Sequence, residues 1–539
     1  MGICVSRETI LTTKKRAKND RPEESTDYAG IRENMVRQSM NQDVFQFYEI
    51  IRTIGEGSIG SVSEVRPKSN SARLLAEHNN NQRTYALKRI LLDRVKPSFV
   101  QELRNEIDIL KTLDHPNIVK VYETFERRTN IFIVLEYCSG GDLYERSPYS
   151  ERAASKIVAK ILSAVSFLHK NNIVHRDLKY ENILFESCHP DAEIKVIDFG
   201  LSKRFVRQSS SRLLPDNEYM MEGVGTIYTM APQVLKGLYT YKADLWSVGV
   251  ITYMLLSNSK PFWGRSRSEI ADQIMGGKLK FDKPRWKHIS QQAKNFVASL
   301  IRLDPNKRLN ADEALAHPWL HATFPLSDRR PDKTTLCDVA NRLANYADGG
   351  EFRRLALMVI AYKSTAQDIA KLRQVFELYD CSNDGTITLE GFKKGLEECC
   401  NLSDEDLKEL FDRVDIDKSG VLDYTEFLAA TLETMGNIEE NRIAEAFDRL
   451  DEDSSGFISF ENLRKILGRH YTKEKVDQFI SEADADNDGQ ISYEDFKQML
   501  RRCQVEEIRC ICCSMSPEEQ NICDKDRPVE NSAITCCKL

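Results

Sequence analysis

His175-Arg176-Asp177-Leu178-Lys179-Tyr180-Glu181-Asn182, with Asp198-Phe199-Gly200 following, is the stretch that decides how this chain folds. In-line movement of a phosphoryl group needs a carboxylate beside the incoming hydroxyl, a role for Asp177. It also needs a cation on the migrating group, a role for Lys179. Asn182 and Asp198 supply the oxygen ligands that two magnesium ions require.

Upstream, Gly55-Glu56-Gly57-Ser58-Ile59-Gly60-Ser61-Val62 forms a G-x-G-x-x-G-x-V loop. Its glycines let the backbone approach phosphates, and Val62 covers a flat base. Ile50, Ile51 and Ile54, then Val62 and Val65, then Tyr85 to Leu87, read as three successive strands. Ala86-Leu87-Lys88 sets a lysine on the third, where it can hold α- and β-phosphates, and Glu106 on the next helix is its natural partner. The polar stretch ending in Asn79-Asn80-Asn81 reads as a solvent loop. Residues 153–318 are mostly helical in pattern.

Five separated elements in this order resemble the eukaryotic protein kinase family from Tyr48 to Leu320. The resemblance implies ATP and Mg2+ as cofactors and Leu135 at the gatekeeper position. It further implies hinge contacts to adenine from Glu136 and Cys138, and a base held between Ala86 and Leu184. Asp244-Leu245-Trp246-Ser247-Val248-Gly249 matches the motif whose aspartate braces the catalytic loop. Asp142 and Glu181 match positions that grip an arginine before the acceptor, which implies protein substrates of the form R-x-x-S/T. Two positions depart from the family. Gln233 stands where a glutamate usually pairs with the arginine matched by Arg308, and Tyr180 replaces a proline. In the activation segment, Glu222 occupies the usual phosphosite, either as a permanent partner for Arg176 or as a solvated side chain.

A second pattern begins near residue 367. Loops starting at Asp380, Asp415, Asp451 and Asp484 recur every 33 to 36 residues, an internal repeat. Each fits the 12-residue EF-hand frame: Gly385, Gly420, Gly456 and Gly489 at position 6, and Ile387, Leu422, Ile458 and Ile491 at position 8. Position 13 holds Phe392, Phe427, Leu463 and Phe496. Candidate Ca2+ ligands are Asp380, Ser382, Asp384 and Thr386 in loop one, and Asp415, Asp417, Ser419, Val421 and Glu426 in loop two. Loop three offers Asp451, Asp453, Ser455 and Phe457, and loop four Asp484, Asp486, Asp488, Gln490 and Asp495. Calcium needs a bidentate glutamate at position 12 to close its shell, and Glu426 alone meets that requirement. Position 12 is Gly391 in loop one, Asn462 in loop three and Asp495 in loop four, which ranks loop two first and loop four second. Glu390, Glu461 and Glu494 at position 11 point to another face.

Between the two patterns lies Phe352-Arg353-Arg354-Leu355-Ala356-Leu357-Met358-Val359-Ile360-Ala361. As a helix it presents an apolar stripe of the kind EF-hand lobes clasp; as a strand it mimics a basic substrate with alanine at the acceptor. Gly349-Gly350 predicts a break in the helical pattern of Leu336 to Lys363. The whole order resembles the calcium-dependent protein kinases of plants and protists from Tyr48 to Leu500. That likeness implies autoinhibition by the junction, relieved when calcium-loaded EF-hands rearrange.

The expected fold class is α+β, a bilobal kinase fold followed by an all-α four-EF-hand domain. The expected boundaries are a flexible N-terminal segment 1–44, a kinase domain 45–321, an autoinhibitory junction 322–366, an EF-hand domain 367–500 and a Cys-rich tail 501–539. Residues 368–500 hold 33 acidic against 15 basic side chains, so the rest of the chain carries +11 of an overall charge of -7. The two portions therefore attract. No signal-peptide core or apolar run of roughly 18 residues points to secretion or a membrane span, and a cytoplasmic location is expected. Met1-Gly2-Ile3-Cys4-Val5-Ser6 fits a myristoylation motif at Gly2, with a palmitoyl site at Cys4 and a basic run Lys14–Lys18 to hold a membrane face; an unmodified end is the alternative. No nucleic-acid partner is expected. Two rival readings remain: a constitutive kinase whose EF-hands are structural or bind Mg2+, and an inert calcium-responsive scaffold.

Overall fold

The computed structural model describes residues 34–57, 59–68, 83–200, 202–204, 227–237, 240–322, 331–366, 368–397, 402–435, 438–468 and 472–502. Gly2, Cys4, the basic run, the Asn79–Asn81 stretch, Glu222 and all of the Cys-rich tail beyond residue 502 lie outside them.

Alternation in the first 140 residues builds a six-stranded sheet from β1 (Arg37–Met40), β2 (Tyr48–Gly57), β3 (Gly60–Pro67), β4 (Tyr85–Leu91), β5 (Val121–Glu126) and β6 (Asn130–Glu136). Their spatial order is β1-β5-β6-β4-β3-β2. Leu87, Ile90, Ile131, Ile133 and Val134 are buried in it, and α1 (Pro97–Thr112), opened by a proline at its first position, carries Glu106. The C-terminal lobe gathers around α2 (Glu151–Lys170) and α3 (Lys242–Ser257), with Trp246, Trp286 and Trp319 fully enclosed. Helix α3 is apolar on every side because it is the lobe's central element.

The segment expected to be patternless up to residue 44 contains structure. Strand β1 lies parallel to β5, with Arg37 opposite Glu123. Met35 and Val36 are buried, and the Arg449 guanidinium donates to the carbonyls of Asn34 and Met35. Four residues give too short a period to register as a strand before a partner is known.

Glycines break the junction as expected. Helix α4 (Lys333–Asp348) stops, and α5 (Glu351–Lys363) starts, on either side of Gly349-Gly350. Gly350 has no side chain to cap α5, and the Glu482 carboxylate does so instead, accepting the Phe352 and Arg353 N–H groups at 3.0 Å each. A Cβ on Gly350 would lie 1.9 Å from that carboxylate.

Of the two readings of residues 352–361, the structure adopts the helix. Phe352, Arg353 and Leu355 through Tyr362 are all buried, so α5 is an interior helix. The Arg353 guanidinium meets Glu433 at 2.6 Å, and Arg354 donates to the Arg413 carbonyl at 2.9 Å. Side chains on both faces of a would-be strand are thus covered by EF-hand helices, and the substrate-mimic strand is not formed.

The EF-hands pair through position 8: Ile387 lies opposite Leu422, and Ile458 opposite Ile491. These short antiparallel ladders add strand to a domain expected to be all helical. Loop one joins α6 (Ala370–Tyr379) to α7 (Leu389–Leu396), and loop two joins α8 (Asp404–Val414) to α9 (Tyr424–Thr431). Loop three joins α10 (Glu440–Leu450) to α11 (Phe460–Leu467), and loop four α12 (Lys473–Ala483) to α13 (Tyr493–Arg502).

Candidate active site and calcium loops

Strand β4 presents Lys88 to the cleft, where Nζ lies 2.9 Å from Asp198 Oδ1 and 3.8 Å from Glu106 Oε1. Burial alone would lower the lysine's pKa; Glu106 and Asp198 outweigh it and raise it above the ordinary value. In return Lys88 holds the Asp198 carboxyl down to about 2, so it stays ionised. Burial pushes Glu106 upward, with Lys88 opposing. Asp198 and Arg176 sit at φ +60° and +70°, the strained backbone of non-glycine residues held in place by their surroundings.

The Lys179 ammonium donates to Asp177 Oδ2, and Asn182 Nδ2 reaches the same oxygen at 3.1 Å and the Asp177 carbonyl at 2.8 Å. Beneath them, buried Asp244 accepts the His175 and Arg176 N–H groups at 3.0 Å and His169 Nε2 at 2.9 Å. The brace expected from the sequence is therefore formed. Phe199 is fully buried against the His175 ring, 4.7 Å between centroids.

The glycine loop is the β2–β3 turn, with Gly57 opposite Gly60 and Gly55 opposite Val62. A Cβ at Gly60 would strike the Arg89 carbonyl at 1.8 Å, so β3 can press on β4 there only without a side chain. Ala86 pairs with Leu135, and Leu184 lies on the strand Ile183–Phe185 below. Glu136 and Cys138 follow at the hinge, where the Glu136 carboxylate is also locked to Lys195 Nζ at 3.0 Å. At the acceptor end, Asp142 Oδ1 accepts the Tyr144 N–H at 2.7 Å, and Glu181 Oε2 accepts the Tyr228 hydroxyl at 2.9 Å. Gln233 meets Arg308 Nη2 at 3.3 Å, but its own Nε2 is buried with no partner among the described residues.

In the EF-hands, the four position-6 glycines take φ between +82° and +101°. Among the described residues, carboxylates converge in threes within 4.8 Å in loop two (Asp415, Asp417, Glu426) and in loop four (Asp484, Asp486, Asp488). Buried Glu426 accepts the Ile416 N–H at 3.0 Å and the Asp423 N–H at 2.9 Å, so it turns into loop two. These donors fit calcium, and loop two would hold it through Asp415, Asp417, Ser419, the Val421 carbonyl and Glu426. In loop three, Asn462 caps Ser459, while Asp451 and Ser455 bond one another. Glu390, Glu461 and Glu494 are exposed, away from the loops.

Loop one does not fit. A Cβ at Gly391 would sit 2.3 Å from the Tyr379 carbonyl oxygen, so position 12 has no room for any side chain. Asp384 is buried against the C-terminal lobe, beside Lys170.

Residues that sequence reasoning did not single out join the two modules. Arg373 makes two 3.0 Å bonds to Glu186, Lys160 meets Glu377, and Asp114 accepts both N–H and Oγ1–H of Thr425 at 2.8 Å. Lys120 lies over the Tyr362 and Tyr424 rings at 5.4 and 5.6 Å. The charge asymmetry was the one sign of these contacts, and it names no residue.

Residues 48–320 match the protein kinase domain family, and 369–432 and 440–501 each match an EF-hand domain pair. Calcium-dependent protein kinase 21 of Arabidopsis thaliana is 33% identical over 398 residues, 72% of this chain and 70% of the relative. This chain belongs to the calcium-dependent protein kinases. Within that family, calcium-dependent protein kinase 3 of Plasmodium berghei (strain Anka) is 39% identical over 351 residues, 64% of this chain and 61% of the relative. Calcium-dependent protein kinase 11 of Oryza sativa subsp. japonica is 36% identical over 392 residues, 71% and 64% of the two chains. The chain thus spans somewhat under two thirds of the length of these last two relatives.

Proposed function

We propose that this chain is a calcium-regulated serine/threonine protein kinase that transfers the ATP γ-phosphate to protein substrates of R-x-x-S/T form. One observation carries the reading: Lys88 bridges Glu106 and Asp198 above a braced Asp177, Lys179 and Asn182. Bound magnesium would neutralise charge between the phosphates, held by Asn182 and Asp198. Lys88 orients the α- and β-phosphates, and Asp177 accepts the proton of the incoming hydroxyl. Lys179 stabilises charge on the oxygens in transit. Asp142 and Glu181 lie beside the acceptor path and favour a substrate arginine.

Regulation follows from the docking of the EF-hands. Asp114, two residues beyond the end of α1 on the way to β5, caps α9, and the third residue of α9 is Glu426 of loop two. Filling that loop is therefore linked to the docked arrangement seen here, in which α5 is enclosed and kept from the cleft. Release from junction autoinhibition is the transition into this arrangement. Acylation at Gly2 and Cys4 would place the enzyme on the cytoplasmic face of a membrane.

The test is phosphate transfer to an R-x-x-S peptide at fixed magnesium, with calcium chelated and then restored. Activity with calcium only, lost in Asp177→Asn and made calcium-unresponsive by Glu426→Gln, is the expected result. Equal activity in both conditions would leave a constitutive kinase. Failure of the folded, ATP-binding protein in both would leave a scaffold.

A further inference from the structure

Loop one has two acidic ligand positions, a left-handed glycine and an EF-hand's helices, yet it cannot complete a calcium shell. Gly391 is pressed on the Tyr379 carbonyl, and Gly395 lies with its Cβ direction 2.4 Å from the Tyr379 ring. Helix α7 is therefore packed too close to α6 for a glutamate to enter at position 12. Calcium needs ~6–8 oxygens, and this loop cannot supply its bidentate pair.

A different cation faces the loop. Lys170, the last residue of α2 in the kinase C-terminal lobe, donates its ammonium to Asp384 Oδ2 at loop position 5. Asp312, on the lobe itself, adds a second carboxylate 3.7 Å away. Asp384 Oδ1 accepts the Thr386 N–H at 3.0 Å and its hydroxyl at 2.8 Å. Asp380 at position 1 accepts the Gly385 N–H at 2.8 Å. The loop is thus folded by its own amides, and one carboxylate is turned out to the lysine.

The seat is shaped for that contact. His115, buried in the kinase domain, lies against Gly385, where any Cβ would strike the ring at 2.0 Å. Its Nδ1 accepts the Asn117 N–H at 2.9 Å and its Nε2 faces Ser163 Oγ at 3.0 Å, so the ring is fixed from both sides. Lys160 with Glu377 flanks the same face.

We infer that the Lys170 ammonium stands in for the metal of the first EF-hand, which makes that loop a calcium-independent clasp on the catalytic domain rather than a sensor. This goes beyond the calcium reading of loop two and does not depend on it. It assigns the first EF-hand a partner, the C-terminal lobe of its own chain, whose Lys170 ammonium occupies a ligand position while Arg373–Glu186 and Lys160–Glu377 hold helix α6 beside it. The remaining loops are then free to respond to calcium while the module stays tethered.

Two measurements on the full chain test it. Hydrogen exchange in chelator and magnesium should show residues 160–170 and 380–391 protected together, with roughly tenfold faster exchange in Lys170→Glu, the scale of turning a half-exposed ion pair into a like-charge contact. Protection should be kept in Lys170→Arg, which retains the cation beside Asp384 and Asp312. Native mass spectrometry should count the same number of calcium ions in Asp380→Asn as in the parent, and one fewer in Asp415→Asn. Protection that appears only after calcium is added overturns the inference. So does loss of protection in Lys170→Arg to the level of Lys170→Glu, or the loss of one calcium in Asp380→Asn. The Asp415→Asn count separates these outcomes from a failure of loop two.

Discussion

Gly350→Ala inverts the usual expectation for a glycine between helices. Gly350 sits at φ -61° and ψ 155°, which alanine adopts without strain, so on backbone grounds the change gains about 0.4–1 kcal/mol from the unfolded state. Yet the new Cβ would lie 1.9 Å from the Glu482 carboxylate and expel it from α5. Two charge-assisted bonds to the helix N-terminus are then lost. Bonds to charged groups are worth about 1.5–3 kcal/mol each at most, and their partial replacement by water leaves a net cost near 2 kcal/mol. Glu482→Ala should cost the same. In the Glu482→Ala background there is nothing left to expel, so Gly350→Ala should become neutral or stabilising, a coupling of about 2–3 kcal/mol. Native-state hydrogen exchange of amides 352–356 reads this directly: roughly thirtyfold faster exchange in either single variant, with no further acceleration in the double. Equal acceleration by Gly350→Ala in both backgrounds would refute the cap and leave Glu482 as a bystander.

Gln233→Glu should stabilise the kinase domain by about 2 kcal/mol, raising its Tm by several degrees in calorimetry. It removes an unpaired buried amide and gives Arg308, whose pKa burial draws down to about 9, the carboxylate it lacks. Asp114→Ala should raise the calcium concentration for half-maximal activity about tenfold, the scale of a lost helix cap linked to loop two; an unchanged calcium response would uncouple that contact from loop two. Burial draws Lys120 down to about 8, with Asp114 opposing. The folded chain therefore releases this proton before the unfolded one does, and stability from this group rises between pH 8 and the ordinary lysine value near 10.5. Urea midpoints at pH 7.5 and 9.5 should differ more in the parent than in Lys120→Met.

The kinase motifs were legible because the family pattern admits few substitutes at the positions of Lys88, Asp177 and Asp198, and because their order along the chain is informative. The EF-hand frame was legible for a similar reason, since Gly385 and its counterparts need left-handed backbone. What could not be read was which module touches which. Lys170, Glu186, Asp114 and Arg373 are ordinary charged residues on helices and loops, and only tertiary placement turns them into contacts. Glu482 looked like one more acid in an acidic domain until Gly350 was placed beside it. Strand β1 was invisible because its partner is β5, far along the chain. Residues 352–361 favoured a helix over a strand in local pattern without excluding the strand, and the EF-hand helices packed on them hold the helix.

The Arg449 bonds to Asn34 and Met35 join residues 414 and 415 positions apart. During synthesis, at about 5–20 residues per second, roughly 20–80 seconds separate the emergence of the two. The kinase lobes lie wholly within that interval, so they can complete their own cores before the third EF-hand exists. The N-terminal end of β1 must wait, held by β5 alone, for the last EF-hand pair to leave the ribosome. The fastening of that end is therefore timed by translation, and truncation near residue 448 would release a kinase domain with that end still unfastened.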